Sequence, residues 1–289
     1  MAEQLTLRDG LALDLRLSGR GRPIVFVHGW AMNGRLFDGV RRALDPNAAV
    51  ISYDLRAHGD LRDCPAPTIE KLGKDLAEIV DAMQLDGAVL VGWSMGAMIV
   101  WDAMSEPKIA DRVAGVVSID MSPRITNDRD WALGLADGRR PESTLKALDD
   151  MRNDWRGVTE RFVPRIFAPE NVERLRPLIA SITAEAGALN GAAMADLWES
   201  MAVQDFRRTL RQIETPMLAM HGADSPLYPI ATGRFIARTA PKAELSVFQK
   251  SGHAPHLEEP ERFAATLIGF IHRLERPLEA TKSIARSVH

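Results

Sequence analysis

Residues 90–98 read LVGWSMGAM. The apolar run Ala88–Val91 that leads into it is short and β-favouring, as a buried strand is. From Ala97 to Met104 the residues favour helix, with one apolar face. At the junction, Gly92-Trp93-Ser94-Met95-Gly96 forms a G-x-S-x-G pattern. Mechanically this is a sharp strand-to-helix turn that pushes a hydroxyl out over a sheet. Its glycines let two backbone segments pass where a Cβ would clash. A glycine-rich turn with an idle serine would give the same string, so the decision lies in the rest of the chain.

On both sides of this junction, solid apolar runs alternate with helical patterns. Residues 24–28 (IVFVH), 49–54 (AVISYD) and 113–120 (VAGVVSID) are apolar on both faces, which suits parallel strands covered by helices on each side. Residues 11–18 (LALDLRLS) alternate at period two, as a half-exposed antiparallel strand does. Ile69, Leu72, Leu76, Ile79, Val80 and Met83 share one helical face. Strand character returns at 216–222 and 243–249, followed by a closing helix from Glu258 to about Leu274. The order predicts an α/β fold: a doubly wound, mostly parallel sheet entered through an antiparallel hairpin.

Between 122 and 210 the strand signal disappears. Leu145, Leu148, Met151, Trp155, Val158 and Phe162 run at helical spacing, then Val172, Leu175, Leu178, Ile179 and Ile182, then Met194, Leu197, Trp198 and Met201. This stretch, 122–210, reads as an all-helical insertion, with residues 1–121 and 211–275 forming the core and 276–289 a flexible tail. Trp131, Trp155 and Trp198 lie in the insertion, where a buried structural role is the first reading and pocket lining the second.

Composition narrows the function classes. The 289 residues are 46% hydrophobic and 26% charged, with a net charge of −3 and one cysteine, Cys64. There is no basic footprint for nucleic acid, no intrachain disulfide, no zinc-type ligand spacing, no signal-peptide pattern and no apolar run of bilayer length. A cytoplasmic protein with neither metal nor cofactor, binding neither nucleic acid nor membrane, is expected.

Four motifs, in order, resemble those of the α/β-hydrolase superfamily, in its serine esterase and lipase-like branch with a helical cap. They are Val27-His28-Gly29-Trp30, Asp54-Leu55-Arg56-Ala57-His58-Gly59, the Ser94 turn, and Ser251-Gly252-His253-Ala254-Pro255-His256-Leu257-Glu258. In the second, alanine stands for one of the family's glycines. The resemblance spans residues 5–274 and implies an eight-stranded sheet with 122–210 as a helical cap after the sixth strand, Ser94 as nucleophile, His253 as its base, and an oxyanion hole from the backbone N–H groups of Trp30 and Met95. The chemistry agrees, because a serine hydroxyl needs an adjacent imidazole and the imidazole an acid to orient it. His256 competes with His253 but is read as packing or capping the closing helix, and His28 and His58 as turn histidines.

The acid is the open member. The family usually carries it after the seventh strand, where Gly222-Ala223-Asp224-Ser225-Pro226 puts Ser225 in register and Asp224 one residue early. Asp120, ending the sixth strand in Asp120-Met121-Ser122-Pro123, resembles the esterase variant and is favoured over Asp224. The expected function is hydrolysis of carboxylic esters, or related lactones and thioesters, with an apolar acyl or aromatic group. The alternatives are an acyltransferase or cofactor-free perhydrolase with the same triad, and a non-catalytic ligand receptor.

Overall fold

A computed structural model describes residues 2–44, 48–138 and 140–274. Eight strands form one sheet: β1 Ala2–Thr6, β2 Ala12–Ser18, β3 Arg22–Val27, β4 Ala48–Ser52, β5 Ala88–Trp93, β6 Val113–Ile119, β7 Met217–Gly222 and β8 Ala243–Phe248. Their order is β1-β2-β4-β3-β5-β6-β7-β8. The β1–β2 and β2–β4 pairs are antiparallel, and every pairing from β4–β3 onward is parallel. Every residue of β3 to β7 is buried, so both sheet faces are covered over the centre. β2 alternates in burial at its start, as its period-two sequence predicts.

The helix Ile69–Ala82 buries the apolar face read from sequence, and Thr68 caps it by accepting from the Lys71 N–H. It packs on the helix Met95–Ala103. On the other side of the chain's winding, Asp38–Leu44 packs against Pro260–Arg273. The closing segment is two helices rather than one: Pro255–Glu258 and Pro260–Arg273. Glu259 breaks them at φ −129° and ψ 60°, and Pro260 starts the second because a first-turn proline has no intrahelical N–H to lose.

Between β6 and β7 the described residues form helices and 3-10 turns with a single isolated bridge, Asp128 to Trp131. The run read from Leu145 to Phe162 is split into Pro141–Asn153 and Trp155–Phe162. Asp154 makes the break, its carboxylate accepting from the Gly157 N–H to start the second helix. Leu145, at helical spacing with Leu148 and Met151, is 71% exposed, because the first helix turns the face carrying Leu148 and Met151 inward instead. Further helices run Arg176–Gly187, Gly191–Ala202 and Arg207–Gln212. Among the described residues no single helix is long and apolar enough to cross a membrane. The tail read at 276–289 lies outside the described residues.

Candidate active site

Ser94 sits between β5 and the helix Met95–Ala103 at φ 54° and ψ −123°, a conformation a non-glycine residue adopts only when its surroundings enforce it. The enforcement is visible in the flanking glycines. A Cβ on Gly92 would lie 2.3 Å from the Gly96 carbonyl oxygen, and one on Gly96 would lie 2.1 Å from that of Val27. The helix therefore leaves the strand by pressing its first turn against the strand end and the end of β3. That lifts the serine over the sheet, where it lines a cavity with Gly29, Trp30, Tyr228 and His253.

The end of β6 brings a carboxylate to the His253 imidazole, and the end of β7 supplies its other partners. Asp120 follows β6 at φ 42° and is fully buried. Its Oδ1 lies 2.8 Å from His253 Nδ1 and accepts the Ser225 hydroxyl at 2.7 Å; its Oδ2 accepts the Gly222 N–H at 2.9 Å. Burial would raise the Asp120 carboxyl, but His221, His253 and the Ser225 hydroxyl outweigh it and hold the group below the usual carboxylate range. Asp224 is exposed, and its N–H donates to the Ser251 carbonyl away from this cluster.

The cavity wall is apolar. Met32, Trp93, Ile125, Leu135, Phe162, Ile166, Trp198, Met201 and Leu227 complete it. The Trp30 indole donates to the Met194 carbonyl at 3.0 Å and meets Trp155 and Phe162 edge-on, which ties the loop after β3 to the helices between β6 and β7. The backbone N–H groups of Trp30 and Met95 donate to no acceptor among the described residues. Among those residues, too, no three His, Cys, Asp or Glu side chains are grouped to hold a metal ion.

The fold has known counterparts. A family model described as the alpha/beta hydrolase family matches residues 24–266. The chain is an α/β-hydrolase. It is similar to pimeloyl-[acyl-carrier protein] methyl ester esterases of Vibrio cholerae, at 28% identity over 91% of this chain and 99% of the relative. The counterpart from Nitrosomonas europaea is 26% identical over 88% and 97%. Among solved structures, an esterase from Exiguobacterium antarcticum superposes with a TM-score of 0.85 at 23% identity, covering 94% of this chain and all of that one. The last likeness concerns the fold.

Two other histidines of this α/β-hydrolase, His28 and His58, stitch turns together. His28 Nε2 accepts the Leu55 N–H while its Nδ1 faces the Gly29 carbonyl; His58 Nε2 accepts the Ala31 N–H while its Nδ1 faces the Arg56 carbonyl. Burial pushes them down to about 4 and about 3, which keeps both neutral. His256 packs between Phe37 and Trp93, and neither ring nitrogen finds a partner among the described residues. It packs, and caps nothing.

Three contributions of this α/β-hydrolase fold escape a reading of the chain. The Ser225 hydroxyl occupies the seat where the family usually puts its acid, and there it serves Asp120 from across the strand gap. The Trp93 indole donates to the His253 carbonyl at 2.8 Å, so the residue before the serine also holds the histidine loop. Tyr228 packs on the His253 ring. Ser225 alone left a signal, as the residue in register in the acid's motif.

Proposed function

We propose that this chain is a serine hydrolase of carboxylic esters, with Ser94 as nucleophile, His253 as general base and Asp120 as the acid that orients it. The observation that carries the reading is the 2.8 Å contact between His253 Nδ1 and Asp120 Oδ1 at a cavity that Ser94 also lines. With Nδ1–H bound to a carboxylate, Nε2 is the free, basic nitrogen. It takes the Ser94 proton as Oγ attacks the ester carbonyl. The oxyanion is held by the backbone N–H groups of Trp30 and Met95, which are unspent within the described residues. The imidazolium then passes its proton to the leaving alkoxide. Water, deprotonated by the same nitrogen, hydrolyses the acyl-enzyme and returns the serine.

The apolar wall supports a substrate with an acyl chain or aromatic group. A second cavity shares Trp30, Leu135, Phe162, Trp198 and Leu227 with the first and adds Asp137, Asp150, Arg161 and Arg165. It gives an extended acyl chain room beyond the aromatic neck. The relatives' names describe a methyl ester on such a chain, and a small alkoxide, leaving as the alcohol, is the group this reading expels. They do not favour acyl transfer or perhydrolysis. The reading includes the division into a core of 1–121 and 211–275 and a cap of 122–210, whose ends meet where the Phe206 N–H donates to the Pro123 carbonyl. It also includes a cytoplasmic location, since a single cysteine gives no disulfide framework to protect.

Ser94→Ala tests it. Turnover of a short p-nitrophenyl ester should fall at least about a thousandfold, and a fluorophosphonate should label the wild type alone. Labelling that persists in Ser94→Ala would exclude this serine as nucleophile.

A further inference from the structure

Glu258 closes the motif that contains His253, and the reaction as derived gives it no task. Its side chain is buried, and its two oxygens face different parts of the molecule. Oε1 accepts the backbone N–H groups of Gly252 at 2.8 Å and Ala254 at 3.3 Å, the residues on either side of His253. Oε2 accepts the Ala168 N–H at 2.8 Å and Asn171 Nδ2 at 2.9 Å, both from the helical insertion. The N–H of His253 itself donates to the insertion's Ile166 carbonyl at 2.7 Å. Asn171 Nδ2 also reaches the Lys250 carbonyl at 2.6 Å. The two segments lie flat on one another, since a Cβ on Gly252 would stand 2.5 Å from the Ala168 nitrogen.

A buried carboxylate is costly unless it is saturated with donors, and here four converge on it. All four are N–H groups, so a carboxamide cannot replace it: one of the two pairs would meet an NH2. Packing alone would be met by an apolar side chain of similar volume. The geometry points to Glu258 as a positioning residue for His253, through which the insertion segment 166–171 sets the place of the imidazole. This rests on the ester-hydrolase reading above. It makes that segment part of the catalytic framework, which moves only if His253 moves with it.

Glu258→Gln should lower kcat and the rate of fluorophosphonate inactivation of Ser94 together, by about ten- to a hundredfold, with KM within about threefold. Asn171→Ala removes one donor from the insertion side only. It should lower the same two rates by about three- to tenfold, and it decides the matter if Glu258→Gln does not fold. Unchanged rates in a folded variant, whatever happens to Tm, overturn the proposal, because a purely structural carboxylate would alter stability and leave both rates alone. Failure of the underlying reading looks different: Ser94→Ala would then keep its turnover.

Discussion

At Asp120 a single carboxylate collects the Nδ1 side of His253, the Ser225 hydroxyl and the Gly222 N–H, and its own backbone is held at φ 42° to do so. An amide there would turn an NH2 toward at least one of these donors and could not stabilise an imidazolium. Asp120→Asn should therefore lower kcat by about 10⁴, with little change in KM. Asp224→Asn, at an exposed side chain outside the cluster, should stay within about twofold of wild type. Initial rates of the two variants over a substrate series check both, and the reverse ranking would hand the role to Asp224. The sequence left these two aspartates open because spacing counts residues along one strand end, whereas the imidazole is approached from two.

At the element scale the elbow is a packing device. Gly92 is the last residue but one of β5, Gly96 is the second residue of the helix, and each glycine marks a backbone-to-backbone contact that leaves no room for a methyl group. Gly96→Ala would drive a Cβ to 2.1 Å from the Val27 carbonyl oxygen, where no flexible side chain can yield. Urea denaturation should show a loss of about 2–4 kcal/mol, or no folded protein. Retention of the wild-type midpoint would mean that β3 and the helix can separate without cost. The turn after β4 shows the opposite choice. Ala57, standing where the family has glycine, is held at φ 64° with no exposed surface. Hydrogen bonds from the Ala57 N–H to the Leu61 carbonyl and from the Leu61 N–H to the His58 carbonyl hold that turn.

Across the whole molecule, three buried imidazoles set an acid limit on stability. His28, His58 and His256 are held down at about 4, about 3 and about 3, in each case first by burial. The unfolded chain takes up these protons below about pH 6.5 while the folded one does not, so their share of stability is intact above that pH. It is lost as pH falls toward the folded values, at up to about 1.4 kcal/mol per pH unit for each histidine. His256→Phe keeps the aromatic stack on Phe37 and removes two ring nitrogens that have no partner. The slope of unfolding free energy between pH 6 and 4 should then decrease by about one proton's worth. An unchanged slope would show that His256 takes its proton in the folded state.

Local pattern determined much of this protein on its own. Runs apolar on both faces identified β3, β4 and β6, because a covered parallel strand must be apolar throughout, and the short apolar run before Ser94 identified β5. The glycine spacing located the elbow, because only glycine tolerates such close backbone passage. The break at Asp154 and the exposure of Leu145 were hidden, since helical periodicity continues across a capping aspartate and does not say which neighbour arrives. Tertiary structure alone decided which carboxylate meets His253, that Ser225 shares its oxygen, and that Glu258 ties the histidine loop to residues 168 and 171. Each of these contacts joins residues about 90 or more apart in the chain, or loops on different strands. Hydrogen-bond geometry depends on tenths of an ångström in three dimensions, and no one-dimensional spacing carries that information.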